Sequence, residues 1–519
     1  MRNWHSIYEI LKYPLGLVFL GTILTGIGMT VTSPALGIAS SVNNQFLLSL
    51  AELMLKTGQF IIVNFPILFM MRLAMRRGGS AATIFSAFLG YIMFLITTMY
   101  FTSTNLPTTA YSSILGLNVS RSYVGALSNA THYPLQTGLI GALIVAAMTL
   151  WAYRGARNKN EYGFFSFISK EVSCTIRTMF LCVLAGIVIA YIWPVFINYN
   201  DKILNFIVAD TTNPINLTIY GMLDRFLSVF NLGTWIRQPF WYGISGGSWV
   251  NVAGASITGD VNIWTAQLGA SALTGTAGKF ITPYYVLNIF AVPGMIWAML
   301  SLTTDKMERR KTFFLCLIAV IVSILFGTLL PLELLLLFLC PLLFFIHILY
   351  TGVLYAVLYS MNAFLGYHYT DTSIITAMPG TLPEFISYAS NPGLQKTLIV
   401  VGVTGVISFV LYFLLTRLYF KYMALDLFHT DAKTRMVNGT LRAVGGVENI
   451  KMIHSGISSL TIGVYDSSKV NIDRLKHLGS YRIYETRAGY HICYGASSTM
   501  IRMGILDAMR EGMRSVNNK

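Results

Sequence analysis

The sequence is poor in charged residues, and this scarcity excludes most classes of soluble protein. Only 11% of the 519 residues are Asp, Glu, Lys or Arg, whereas 55% are hydrophobic and the mean hydropathy is +0.62. A soluble domain carries roughly 25% charged residues. The composition therefore predicts a polytopic α-helical membrane protein.

Cysteine is also scarce, and its positions do not suggest a site. The five cysteines are Cys174, Cys182, Cys316, Cys340 and Cys493. They show no paired spacing, so the sequence predicts neither a disulfide framework nor a metal site, and no cofactor is expected. Four of them lie in apolar stretches, where packing is the expected role.

The net charge of +15 does not indicate nucleic-acid binding, because the basic residues are grouped at the ends of apolar stretches. Such clusters occur at Arg72 to Arg77, Arg154 to Lys159, Lys306 to Lys311 and Arg417 to Lys421. Basic residues at span ends mark the cytoplasmic side of a membrane protein. The pattern predicts that both termini are cytoplasmic.

A helix needs about twenty apolar residues to cross a membrane, and the chain has many such stretches. The predicted spans are 14–32, 58–75, 81–101, 136–152, 175–196, 285–304, 312–330, 334–358 and 397–416. Residues 205–280 are ambiguous, with an additional span and re-entrant pieces as alternatives. We expect about ten spans plus re-entrant hairpins.

The composition changes after the last apolar stretch. Membrane-embedded residues are expected over 1–425, and a small cytoplasmic α/β domain over 430–519. In that domain the periodicity predicts helices at 433–445, 470–478 and 497–515, and strands at 460–465 and 490–494.

Glu333 is the one formally charged residue between Lys311 and Asp371. An intramembrane carboxylate usually faces a bundle interior, a partner or a water-filled cavity. Pro331 removes a backbone donor and is expected to interrupt the helix there. A broken helix beside a carboxylate predicts a solute site. The alternative is that Glu333 only satisfies freed backbone N–H groups.

Five segments, in order along the chain, match motifs of one known family. They are residues 14–35, 65–77, 224–235, 287–295 and 327–347. With them the chain resembles enzyme IIC of the glucose–maltose–glucoside branch of the bacterial phosphotransferase system, fused to a IIB domain. The resemblance implies a homodimer in the bacterial inner membrane, a sugar held near the membrane midplane, and a IIA partner or regulator at the C-terminal domain.

Several functional residues of that family are replaced in this sequence. The family's sugar-binding His pair falls on Gly233 and Thr234, and its first Glu falls on Leu330; the second Glu is retained as Glu333. A leucine cannot accept a hydrogen bond from a sugar hydroxyl, which costs roughly 1–3 kcal/mol.

The segment that resembles IIB also has replacements at functional positions of the family. The phosphorylated cysteine falls on Gly456, and the arginine that pairs with the phosphoryl group falls on Ser459. Cys493 lies in a predicted strand and is expected to pack. No catalytic residue is therefore predicted, and whether the protein is an enzyme stays open.

Seven polar residues are candidates for binding a solute: Asp224, Arg225, Thr234, Asn288, Glu333, His347 and Glu384. Structural alternatives are a helix-end ion pair for Asp224 with Arg225, an interhelical hydrogen bond for Asn288, and a bond from His347 to a backbone carbonyl. Three functions stay open: a sugar permease without its own phosphoryl transfer, a non-transporting sensor or regulator, and a transporter of a less hydroxylated solute.

Overall fold

The computed structural model describes most of the chain. The described residues are 2–33, 36–41, 44–78, 81–102, 106–112, 115, 133–154, 170–271, 273, 275–302, 306–368, 377–423, 430–456, 459–480, 482–486 and 489–517. By its own contacts the chain divides into two compact units, Met1–Ala298 with Phe313–Thr416, and Met299–Thr312 with Arg417–Lys519.

Helices dominate the chain before residue 424. The helices are α1 Arg2–Thr32, α2 Ile38–Ser41, α3 Gln45–Val63, α4 Phe65–Gly78, α5 Ala81–Phe101, α6 Gly138–Arg154, α7 Lys170–Ala209, α8 Pro214–Val229, α9 Thr234–Trp241, α10 Asp260–Gly269, α11 Thr282–Val286, α12 Val292–Ser301, α13 Lys306–Phe326, α14 Leu330–Leu339, α15 Pro341–Ser360, α16 Leu382–Ser387 and α17 Gln395–Met423. A π-helical turn, Leu287–Ala291, joins α11 to α12. A short hairpin pairs β1 Ser248–Val250 with β2 Ser256–Thr258.

Among the described residues, seven apolar helices are long enough to cross a membrane. They are Ile10–Thr32, Gln45–Val63, Ala81–Phe101, Glu171–Ala209, Thr282–Ser301, Pro341–Ser360 and Pro392–Phe420. Three shorter apolar helices are Gly138–Arg154, Thr312–Phe326 and Leu330–Leu339. The prediction of a polytopic helical membrane protein is confirmed.

Several predicted span boundaries were wrong. The stretch 334–358 is divided, because α14 ends at Leu339 and α15 begins at Pro341. The stretch 58–75 is not one helix, because α3 ends at Val63 and α4 begins at Phe65. Asn64 separates them and turns its side-chain amide back to the Phe60 carbonyl, at 2.9 Å. Pro66 has no backbone donor and is tolerated in the first turn of α4. In addition, the span predicted to end at 196 continues in α7 to Ala209.

From residue 430 onward, the described part of the C-terminal unit contains a four-stranded antiparallel sheet and three α-helices. The strands are β3 Ile450–Ser455, β4 Leu460–Val464, β5 Arg482–Thr486 and β6 Gly489–Cys493, in the spatial order β3-β4-β6-β5. The helices are α18 Thr430–Ala443, α19 Ile472–His477 and α20 Ser498–Asn517. Side chains of the helices and the sheet share one buried core that includes Leu441, Leu475, Ile462, Ile492 and Ile501.

Sequence analysis missed two of these four strands. In β3 the buried residues Ile450 and Ile453 are three apart, since the register shifts between Ile450 and Met452. That shift hides the alternation expected of a strand. In β5, an edge strand, only Ile483 is partly buried, so the hydrophobic signal is absent.

Candidate functional site

The candidate site is built around α8, which brings two adjacent charges into the protein interior. The helix begins after Asn213, whose side-chain oxygen accepts a hydrogen bond from the Ile215 N–H at 2.9 Å. Such a cap satisfies one of the donors left free at a helix N-terminus. Asp224 and Arg225 on this helix are 0% and 2% exposed.

A break between α13 and α14 presents the second carboxylate. Helix α13 ends at Phe326, and α14 begins at Leu330 with Pro331 in its first turn. Gly327 between them has a φ of +63°, and a Cβ there would lie 2.7 Å from the Pro379 carbonyl oxygen. Only glycine fits this close approach without strain. The prediction of a broken helix beside Glu333 is confirmed, and Glu333 is 1% exposed.

Asp224 is the centre of a buried network of ion pairs. Its Oδ2 lies 2.6 Å from Nη2 of Arg225, and its Oδ1 lies 2.6 Å from Nε of Arg237 on α9. Arg225 also reaches Oε1 of Glu333 through Nη1, at 3.3 Å. The Tyr284 hydroxyl donates to Oδ2 of Asp224 and accepts from Arg225. Two carboxylates thus balance two guanidinium groups, as buried charges require.

His347, on α15, extends this network toward α17. Its Nε2 lies 3.2 Å from Oε1 of Glu333, and its Nδ1 lies 2.7 Å from the Tyr412 hydroxyl. Arg225 and His347 therefore share one oxygen of Glu333. His347 is 3% exposed, and both of its ring nitrogens form hydrogen bonds.

A cavity of about 50 Å³ lies against this network. Its lining is Thr22, Ile62, Arg225, Ser228, Gly233, Arg237, Tyr284, Gly327, Thr328, Leu329, Leu330, Ala377, Met378 and Pro379. At roughly 10–15 Å³ per water, it has room for a few water molecules in this conformation. Guanidinium and hydroxyl groups and apolar side chains both contribute to this lining. Gly233 and Leu330, onto which the resemblance places the family's His and Glu, both line it.

The structure brings four of the seven candidate residues together. Arg225 lines the cavity, and Asp224, Glu333 and His347 form the hydrogen-bonded layer behind it. Among the described residues, no three His, Cys, Asp or Glu side chains are grouped as metal ligands would be.

The three other candidate residues, Thr234, Asn288 and Glu384, form hydrogen bonds to other segments of the protein. Thr234 donates to the side-chain oxygen of Gln136 at 2.6 Å. Asn288 donates to the Pro379 carbonyl at 2.8 Å and so fixes the segment that lines the cavity. Glu384 accepts from the His368 N–H at 2.7 Å and from the Tyr388 hydroxyl at 2.9 Å.

Sequence analysis missed four residues of the site: Ser228, Arg237, Tyr284 and Tyr412. Arg237 was detectable in principle, since it is a charged residue among the apolar and aromatic residues of α9. The two tyrosines and the serine lack such a signal, because these residue types are common in membrane helices and only the folded chain brings them to Asp224 and His347.

In the C-terminal unit, Gly456 follows β3 in the turn before β4. Its N–H donates to the Ser459 carbonyl at 2.8 Å, and residues 457–458 lie outside the described part. A Cβ on Gly456 would meet only the Ser459 side chain, at 3.2 Å, and the Ser459 carbonyl, at 3.9 Å. Cys493 is the last residue of β6 and is 8% exposed.

Comparison with known proteins identifies the family and agrees with the fold. The model of the family described as "Phosphotransferase system, EIIC" matches residues 9–352. The chain belongs to this family of multi-pass membrane proteins. It is 27% identical over 510 residues to the "PTS system glucose-specific EIICBA component" of Staphylococcus saprophyticus subsp. saprophyticus, covering 95% of this chain and 71% of that protein.

Proposed function

We propose that the protein is a sugar permease of the glucose–maltose–glucoside branch that has lost its own phosphoryl transfer. The turn at Gly456 carries this proposal, because glycine offers no nucleophile where the family's IIB domain has its phosphorylated cysteine. A thiolate accepts a phosphoryl group far better than a serine hydroxyl without an adjacent base. The nearest hydroxyls along the described turn are Ser455 and Ser459.

The membrane cavity supports the same conclusion. Gly233 and Leu330 line it in place of a histidine and a glutamate. Without these two groups, nothing at those positions accepts the proton of a sugar hydroxyl during phosphoryl transfer. Arg225, Ser228 and Thr328 still offer hydrogen bonds to a polyol. The cavity thus keeps binding chemistry and lacks the family's acid–base chemistry.

Other features of the proposal follow from family membership. We expect a homodimer in a bacterial inner membrane, with both termini cytoplasmic and each protomer holding its own site. The C-terminal residues 430–519 form a IIB-like domain that docks a IIA component or a regulator without receiving phosphate.

A second candidate substrate is a less hydroxylated solute. The observation that favours it is that apolar residues contribute to the lining of the cavity: Ile62, Leu329, Leu330 and Met378. A 6-deoxy sugar or a similar solute would leave fewer hydroxyls unpaired against these side chains.

Uptake into proteoliposomes tests the proposed transport. We expect radiolabelled D-glucose to enter without phosphoenolpyruvate and to be recovered as the free sugar. Recovery only as a sugar phosphate would contradict the loss of phosphoryl transfer. Binding without uptake would favour the sensor, and uptake of 6-deoxyglucose but not of glucose would favour the second substrate.

Labelling of the C-terminal domain tests the phosphoryl-transfer proposal separately. With labelled phosphoenolpyruvate and the general phosphotransferase proteins plus IIA, we expect no label on the wild type. Gly456 does not have a left-handed backbone, and the nearest described atom to a Cβ there would be the Ser459 side-chain oxygen at 3.2 Å, which can rotate away. The Gly456→Cys/Ser459→Arg double variant should therefore fold and gain the label, as measured by autoradiography.

The control for this experiment is Cys493→Ala in the wild-type background, which should stay unlabelled. A label on wild-type residues 430–519 would refute the proposed loss, and its disappearance in Cys493→Ala would assign it to that thiol.

A further inference from the structure

The buried pair of Glu333 and His347 has no task in simple sugar binding, since neither residue lines the cavity. Both residues are nearly inaccessible, at 1% and 3% exposure, and both lie in apolar helices. Ionisable residues in such places are costly and commonly mark ion or proton pathways. The hydrogen bonds of Glu333 and His347 indicate which ligand the pair binds.

The hydrogen-bond pattern around His347 is complete for a neutral imidazole. The carboxylate of Glu333 only accepts, so Nε2 of His347 is the donor across their 3.2 Å contact. Nδ1 then accepts from the Tyr412 hydroxyl at 2.7 Å. In this state Asp224, Glu333, Arg225 and Arg237 sum to zero charge.

The same side chains can hold one additional proton without moving a heavy atom. A proton on Nδ1 makes it a donor, and the Tyr412 hydroxyl rotates to accept, because a phenol does both. A proton on Glu333 is the alternative position within the same pair. Histidine is the side chain whose charge changes most readily in the physiological pH range.

Protonation of this pair changes what Arg225 offers to the cavity. Nη1 of Arg225 lies 3.3 Å from Oε1 of Glu333, whereas Nη2 of Arg225 lies 2.6 Å from Oδ2 of Asp224. The contact with Glu333 is therefore the longer of the two ion pairs of Arg225. When the negative charge on Glu333 is neutralised by the proton, Nη1 is less tightly held. Because Arg225 lines the cavity, that N–H becomes available to a solute hydroxyl.

We propose that Glu333 and His347 form a proton-binding site coupled through Arg225 to the cavity, so that solute and proton bind and cross the membrane together. This inference rests on the proposed function, in which the cavity holds a sugar and phosphorylation does not drive uptake. The proton comes from water on the side from which the solute enters and leaves with the solute.

The charged and titratable groups named around this proton site lie on α8, α9, α11, α15 and α17, in the described part of the chain. Helix α8 contributes Asp224 and Arg225, and α9 contributes Arg237. The tyrosines are Tyr284 on α11, Tyr350 on α15 and Tyr412 on α17. Of these groups, only Arg225 and Tyr412 contact the pair directly.

Infrared difference spectroscopy of the purified protein tests the proton site without a solute. Acidification across about pH 8 to 5 should produce a carboxylic-acid or imidazolium band that Glu333→Gln and His347→Gln both abolish. Asp260→Asn serves as the matched control, since Asp260 is also a buried carboxylate but accepts from the backbone N–H groups of Gly278 and Phe280, outside this network. Burial raises the pKa of Asp260 to about 7, so this variant should lose a band of its own and keep the band that depends on Glu333 and His347. A spectrum unchanged by either network variant overturns the proton site.

Binding of D-glucose at different pH values tests the coupling. For one coupled proton, affinity should rise by up to about tenfold per unit fall in pH, and Glu333→Gln should make it independent of pH. Glucose binding that is equally strong at every pH overturns the coupling. If glucose does not bind at all, the proposed sugar function fails and the coupling falls with it, whereas the infrared band still decides the proton site by itself.

Discussion

Replacing Asp224 by alanine is expected to destabilise the protein by about 3–5 kcal/mol, because it removes the carboxylate that holds two buried guanidinium groups. Arg225 and Arg237 each lie 2.6 Å from this carboxylate and are 2% and 5% exposed. Leaving two charges unpaired in the interior is far more costly than losing a surface pair. The measurement is equilibrium unfolding of the protein in detergent micelles.

Asp473→Ala is the matched control for this prediction. Asp473 pairs with Lys476 at 3.4 Å, but its side chain is 86% exposed, so the change should stay within about 1 kcal/mol. An Asp224 variant as stable as this control would mean that the buried network does not support the fold.

Replacing Gly380 by alanine is expected to cost at least about 2 kcal/mol and to abolish solute binding. Gly380 has a φ of +82°, and a Cβ there would lie 2.5 Å from the carbonyl carbon of Tyr284. The nearest atoms all belong to the backbone and not to a flexible side chain, so the backbone must move. That movement displaces Met378 and Pro379, which line the cavity, and disturbs Tyr284 beside Asp224.

Gly402→Ala is the control that tests whether the loss of stability in Gly380→Ala comes from the close contact of residue 380 with the Tyr284 backbone. Gly402 lies in α17, and a Cβ there would meet nothing within 4 Å. Alanine is favoured over glycine in a helix by roughly 1 kcal/mol, so this variant should be at least as stable as the wild type. Thermal unfolding and solute binding of both variants provide the comparison, and equal behaviour would exclude a special role for Gly380.

The positions of the network residues explain why part of the site was predictable. Glu333 was evident because it is the one formally charged residue between Lys311 and Asp371 and needs a partner, and Pro331 near it indicated the helix break. Asp224 and Arg225 were evident as adjacent charges within a family motif. That Arg225 and Glu333 lie in contact was not evident, since they are 108 positions apart in the chain.

In the structure, two other candidate residues form hydrogen bonds within the protein. Asn288 and Glu384 are rare polar residues in apolar surroundings, as a solute site would require. The fold uses both side chains to hold the segments near Pro379 and His368. Arg237 was overlooked although it lies among the apolar and aromatic residues of α9.

The sequence by itself determined the membrane class, the approximate set of apolar helices and the family, and it led to the prediction that Gly233, Leu330 and Gly456 stand in place of functional side chains. These properties follow from composition and from residue identity at single positions. Only the tertiary structure decided that α3 and α4 are separate helices, that Gly233 and Leu330 face one cavity, and which groups pair with Glu333. The physical reason is that hydropathy records the cost of placing a residue in lipid, whereas pairing depends on which distant side chains the packed helices bring within hydrogen-bond distance.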